Sequence, residues 1–201
     1  MDALIYHKDV PLIEEIFQYD IIIVGTGIHN SLGNGFQHDV KINFPFVEKT
    51  VKEGKYGDAR KLGTVTVVSS KPMFCIAYVH KGGYRKDLNP VYLDYDALKE
   101  CINMIDENFH GKKIATTLIG CCSFDGNGEW EKVEKFFLEL NTDNEYHVYD
   151  YEQRDYRQVN NEKWAKIVEQ IGKIPYEEMR KLKDEYIKER KYGIYADINK
   201  Q

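Results

Sequence analysis

The apolar run Ile21-Ile22-Ile23-Val24 and the glycine-rich segment that follows it, Gly25-Thr26-Gly27-Ile28-His29-Asn30-Ser31-Leu32-Gly33-Asn34-Gly35, constrain this chain more than any other stretch. A β-branched run without polar alternation reads as a strand buried on both faces, and such strands occur where helices cover both sides of a sheet. Glycines at 25, 27, 33 and 35 leave the backbone bare of Cβ atoms, so something approaches it closely. Successive N–H groups in such a loop can form an anion-binding nest. The expected binding positions are therefore Gly25, Thr26, Gly27, His29, Asn30, Gly33, Asn34 and Gly35.

The rest of the chain supplies the layers. Residues 3–7 read as a short edge strand and Pro11 to Phe17 as a turn or helical piece. Val40, Phe44 and Val47 fall at helical spacing around Pro45, which predicts helix, break, helix. Lys61 to Val68 and Met73 to Val79 are strand-like runs separated by Ser69-Ser70-Lys71-Pro72, a hairpin signal that makes the sheet mixed. From Asp94, a good N-cap, the residues Leu98, Cys101, Ile102, Ile105 and Phe109 trace one helical face up to Gly111. Lys113 to Ile119 is a second buried strand that runs into a glycine loop, Gly120-Cys121-Cys122-Ser123-Phe124-Asp125-Gly126-Asn127-Gly128. A helix carrying Trp130, Val133 and Phe137 and a strand over 146–149 close the series. This order predicts an α/β fold, a three-layer α/β/α sandwich over 1–151 with a mixed central sheet. In such sheets ligands settle at the carboxyl ends of strands, so both glycine loops are expected on one crevice. Beyond Tyr151 the pattern changes to two short amphipathic helices, a helical C-terminal extension over 152–201. It is too poor in apolar residues to fold alone, and is expected to dock on the core or serve a homo-oligomer interface.

With 201 residues and a net charge of −5, the chain offers no basic arm for a general grip on nucleic acid. Four cysteines, two adjacent, lack both the spacing of a disulfide framework and a CxxC metal pair, which points to a reducing, cytoplasmic setting without a metal site. No signal peptide opens the sequence, and no apolar run approaches the roughly 20 residues that cross a bilayer. Fifteen tyrosines are compatible with stacking on a nucleotide.

Two phosphate-binding motifs fail. Gly25-Thr26-Gly27 begins like a dinucleotide fingerprint, but Asn30 stands where the third glycine belongs, and the next strand begins only near Lys61. No Gly-Lys-Ser/Thr is present for a Walker loop. A different resemblance rests on both loops together. Leu32-Gly33-Asn34-Gly35-Phe36 resembles the loop of macro domains that wraps the distal ribose of ADP-ribose. Ile119-Gly120-Cys121-Cys122-Ser123-Phe124-Asp125-Gly126-Asn127-Gly128-Glu129-Trp130-Glu131-Lys132-Val133 resembles the corresponding segment of the subfamily that includes terminal ADP-ribose glycohydrolases, and small phage-encoded macro-like proteins are similar too.

The resemblance implies a crevice for ADP-ribose or a related nucleotide, with the diphosphate held by Gly120, Cys121, Cys122, Ser123, Phe124, Gly126, Asn127 and Gly128 and by the helix that starts beside them. It implies no cofactor. In that subfamily a lysine after the hairpin strand and an aspartate in the second loop remove ADP-ribose, and Lys81 and Asp125 match them. A lysine amine attacks an anomeric carbon only when its pKa is lowered enough to leave it partly neutral. Gly27 departs from the pattern, since relatives often carry a polar residue there. The resemblance thus implies a hydrolase of an ADP-ribosyl carboxylate ester or of ADP-ribose-1''-phosphate; the alternative is a module that only captures the nucleotide. The residues alone allow plainer roles: Asp125 and Asn127 as turn or cap residues, Lys81 in a solvated turn, His29 and His38 as structural histidines, Cys121 and Cys122 as ordinary loop residues.

Overall fold

The computed structural model describes residues 4–33, 35–81, 91–121 and 126–151. The expected extension over 152–201 lies outside the described residues, as do Asn34, Cys122, Ser123, Phe124 and Asp125.

Six strands form one mixed sheet: β1 (Leu4–Lys8), β2 (Ile21–Gly27), β3 (Val65–Val68), β4 (Met73–His80), β5 (Lys113–Thr117) and β6 (Glu145–Asp150). Their spatial order is β1-β6-β5-β2-β4-β3, and the β3–β4 hairpin is the antiparallel pair. Because side chains alternate across a strand, the apolar run of β2 feeds two cores at once. Ile21 and Ile23 join Cys75, Ala77 and Val79 beneath α4 (Tyr95–Asn108) and α5 (Trp130–Leu138), where Leu98, Cys101, Ile105, Val133 and Phe137 are buried. Ile22 and Val24 join Phe74, Ile76 and Tyr78 on the other face, against α1 (Leu12–Glu15), α2 (Gly35–Asn43) and α3 (Pro45–Glu53). The expected three layers result.

Local signals account for most boundaries. Pro45 occupies the first turn of α3, where its missing N–H costs nothing, and the chain breaks at Phe44 as expected. Asp94 caps α4 by accepting from the Ala97 N–H at 3.0 Å. That helix ends at Asn108, earlier than Gly111 suggests, with the turn made by Gly111 at φ +62°. The strand expected from Lys61 starts only at Val65, because 59–61 form a 3₁₀ turn and Gly63 adopts φ +76°.

The edge formed by β1 and β6 carries a chain of titratable groups. His7 Nε2 and His147 Nδ1 are 2.8 Å apart, and His147 Nε2 lies 2.7 Å from Glu145 Oε1. His7 stacks on Tyr149 at 4.4 Å; Tyr149 donates to Glu15 at 2.5 Å and shares a short hydrogen bond with Tyr19. Burial and then the Glu15 hydrogen bond push the Tyr149 phenol well above its ordinary range. Burial, with His147 beside it, lowers the His7 pKa, against an opposing pull from Glu15. Lys113 reaches Glu145 at 3.2 Å, and the hydrogen bonds from His147 and Lys113 lower the pKa of that carboxylate.

The unfolded chain therefore takes up a proton at His7 from about pH 6.5 downward while the folded chain resists it, so stability falls as pH drops through that value. His7→Phe keeps a ring on Tyr149 and removes the titration. Urea midpoints measured between about pH 7 and pH 5 are expected to fall less steeply in this variant than in the unaltered protein.

Candidate functional site

The strands β2 and β5 pair through only two residues, Ile21 with Ile114 and Ile22 with Ala115. Beyond Ile22 they part, while β2 continues beside β4 as far as Gly27 opposite His80. The Thr116 hydroxyl donates to the Ile23 carbonyl at 3.3 Å just past the last paired residues. The chain leaves β2 toward β4 through the helices of one face and leaves β5 toward β6 through α5 on the other. The parting is thus the topological switch point, where open α/β sheets form a crevice at the carboxyl ends of their strands. Ile119, just beyond β5, belongs to the core under α4 and α5. A Cβ on Gly25 would come within 2.8 Å of its Cγ1. Gly25 therefore makes room for a core side chain.

The loop over 28–33 forms one wall. Thr26 is fully buried and donates to the Ser31 carbonyl at 2.8 Å, and the Ile28 N–H reaches the His80 carbonyl at 3.2 Å. Leu32 and Phe36, expected to touch ligand, are buried in the core beneath the loop and anchor it. Asn30, also expected at the ligand, is buried at φ +55°, where its amide donates to Gly54 O at 2.6 Å and its oxygen accepts from Lys61 Nζ at 2.5 Å. Both ends of that side chain are committed within the protein, so Asn30 shapes the loop. The signal was present in Gly54-Lys55-Tyr56-Gly57, a turn-forming stretch, but nothing in the sequence placed it against Asn30. Gly27 sits at the rim with a register shift against β4, and a Cβ there would meet His80 at an ordinary 3.6 Å. His29 stands beside Tyr56, with ring centroids 4.9 Å apart.

Gly120, Cys121 and residues 126–128 stand on the other side. Gly120 adopts φ +71°, and its carbonyl accepts from the Gly128 N–H at 2.9 Å. A Cβ on Gly126 would collide with that same carbonyl, and Cβ atoms on Gly120 and Gly128 would come within 2.5 Å of Leu93. These glycines let the loop fold back on itself beneath Leu93. The Cys121 thiol donates to Ile119 O at 3.4 Å, and Asn127 adopts φ +52°. At the helix start, where the anion is expected, two backbone N–H groups are engaged within the protein. The helix begins at Trp130, the Gly128 N–H is taken by Gly120, and the Glu129 N–H donates to the Tyr95 hydroxyl at 2.8 Å. Glu129 and Glu131 add negative charge at this end, which leaves it less attractive to an anion than a bare helix terminus.

No family model matches the sequence, and no curated protein does. Solved structures do match. The chain aligns over 73% of its length with 96% of a protein of unknown function from Bacteroides thetaiotaomicron, at TM-score 0.61 and 18% identity. It aligns over 73% with 96% of the macrodomain of Mycobacterium tuberculosis DarG, at TM-score 0.53 and 20% identity. The chain has the macrodomain fold. A third match, at TM-score 0.51 and 15% identity, is Thermosipho africanus DarTG solved in complex with ADP-ribose, of which the alignment spans 41% while covering 71% of this chain.

In this macrodomain fold Lys81 follows β4 and lies on the surface, ion-paired with Asp94, the residue that caps α4. The hydrogen bond to Asp94 raises the Lys81 pKa above its ordinary value, the opposite of what a nucleophilic amine requires. As placed, Lys81 is the counter-ion of a helix cap. His80 is buried at the end of the same strand, its backbone paired with Leu93. The buried thiols of Cys75 and Cys101 are pushed up to about 12 by desolvation and are poor nucleophiles. Among the described residues no group of His, Cys, Asp and Glu is placed to hold a metal ion, and no helix is long and apolar enough to cross a membrane.

The glycines thus differ in what they tolerate. Gly126→Ala forces a Cβ onto backbone and is expected to cost about 1–3 kcal/mol in chemical denaturation. Gly27→Ala, whose Cβ would make only ordinary van der Waals contact with His80, is expected to stay within about 0.5 kcal/mol of the unaltered protein.

Proposed function

We propose that this protein binds ADP-ribose, or a derivative of it, in the crevice between the parted ends of β2 and β5. The observation that carries the reading is the parting itself: a switch-point crevice walled by two glycine loops whose sequences resemble those of macro domains. The macrodomain fold supports it, as does a structural neighbour that was solved with ADP-ribose bound. In this reading the loop over 28–35 lies on the distal ribose, and the diphosphate lies along residues 120–128.

The finer proposal is hydrolysis of an ADP-ribosyl carboxylate ester or of ADP-ribose-1''-phosphate. Asp125 is the candidate to take a proton from the attacking water. A route through a Lys81 nucleophile requires its ion pair with Asp94 to break first. That ion pair, together with Gly27 at the position where relatives carry a polar side chain, favours the second reading, a module that captures the nucleotide without turning it over.

Calorimetry and thermal unfolding with ADP-ribose test the binding. At ligand concentrations about 100 times Kd, the folded state is expected to gain about 2.7 kcal/mol. Absence of heat and of stabilisation overturns the assignment. Release of ADP-ribose from the two derivatives then separates the readings. Turnover that disappears in Asp125→Ala while ADP-ribose still binds supports the hydrolase. Binding without turnover, converted to measurable turnover by Gly27→Asn, identifies the capturing module and locates what it lacks.

A further inference from the structure

One aromatic ring beside the loop after β2 is largely uncovered. The segment over 54–61 is fastened to the loop after β2 by three hydrogen bonds: the Gly57 N–H to Ile28 O at 3.0 Å, the Asn30 amide to Gly54 O at 2.6 Å, and Lys61 Nζ to Asn30 Oδ1 at 2.5 Å. These bonds hold Tyr56 beside His29, with the rings tilted by 50°. Tyr56 is nevertheless 72% exposed, so most of its surface is uncovered. His29 complements it. Its Nδ1 is buried against Gly57, and among the described residues neither ring nitrogen has a hydrogen-bond partner. A buried donor without an acceptor is the costlier omission, so the favoured tautomer leaves Nδ1 as the bare acceptor and puts the hydrogen on the outward Nε2.

Arg60 is held by Asp58 through contacts at 2.6 and 2.9 Å, and Lys61 is committed to Asn30 with the Tyr78 ring beneath it at 5.1 Å. Lys55, next to Tyr56, is exposed and in no ion pair among the described residues. Beside that cation the segment offers an open aromatic face and, from His29, an imidazole N–H. That pair suits a flat heterocycle with acceptor groups on its edge better than it suits a phosphate.

We propose that Tyr56 and His29 form a subsite for a planar ring carried on the distal ribose of the bound nucleotide. Tyr56 stacks on the ring and His29 Nε2 donates a hydrogen bond to it. The inference rests on the ADP-ribose reading given above, and it specifies the ligand class as ADP-ribose derivatives that bear a nucleobase-like group at the ribose end. The exposed position means that removal of the ring leaves the core intact.

The probe is NAD, which is ADP-ribose carrying a nicotinamide ring on that ribose, compared with ADP-ribose itself by calorimetry on the full chain. Tyr56→Ala is expected to weaken NAD about tenfold more than it weakens ADP-ribose, while Tyr56→Phe, which keeps the stacking face, retains the ratio of the unaltered protein. His29→Ala is expected to lower the same ratio. Equal losses for the two ligands, or an unchanged ratio in Tyr56→Ala, overturn the subsite while leaving nucleotide binding in place. Failure of the unaltered protein to bind either ligand overturns the ADP-ribose reading and the subsite with it.

Discussion

Ile119 lodged against the bare backbone of Gly25 is the contact on which the arrangement of the crevice depends. Two parallel strands that stay paired leave no opening between them, and two that simply diverge expose their inner backbone to water. Here β2 and β5 separate after two residue pairs, and Ile119 from the loop beyond β5 packs over Gly25 on the face covered by α4 and α5. Thr116 is bonded to Ile23 O where the ladder stops. A Cβ on Gly25 pushes Ile119 outward, and with it the start of the second wall.

The two cores explain why that opening can exist at all. The β2 side chains face two helical layers in turn, so the strand is fixed from both sides and needs no continuous neighbour along its whole length. Strand β4 supplies the neighbour on one flank, running beside β2 to the rim. The walls are built differently. The loop over 28–33 is secured by distant polar partners, whereas Gly120 and Gly128 lie close against Leu93 and the Gly128 N–H is bonded to the Gly120 carbonyl.

Periodicity made the layers legible. The unbroken apolar run of β2, the hairpin signal at Ser69-Ser70-Lys71-Pro72, the Asp94 cap and the helical face from Leu98 to Ile105 are all local patterns, and the structure places each element close to where it is expected. Side-chain partners were not legible in the same way. Asn30 meets Gly54 and Lys61 from far along the chain, and no local rule pairs them. The glycines show the limit most plainly. A missing Cβ announces that something comes close, and the sequence suggested a ligand at Gly25, Gly120, Gly126 and Gly128, where the close neighbours are Ile119, Leu93 and a backbone carbonyl. Lys81 read as a nucleophile by its place after the hairpin strand; its ion pair with Asp94 is a tertiary contact that motif position does not encode.

Asn30 carries a consequence beyond its own hydrogen bonds. A buried amide in the left-handed region, bonded at both ends, holds the loop at the rim in one conformation before any ligand arrives. The loss of chain freedom that a floppy loop suffers on binding is here suffered once, during folding. In the proposed binding, residues 28–33 accordingly act as a preformed surface, and ligands are sorted there by whether they fit the shape already present.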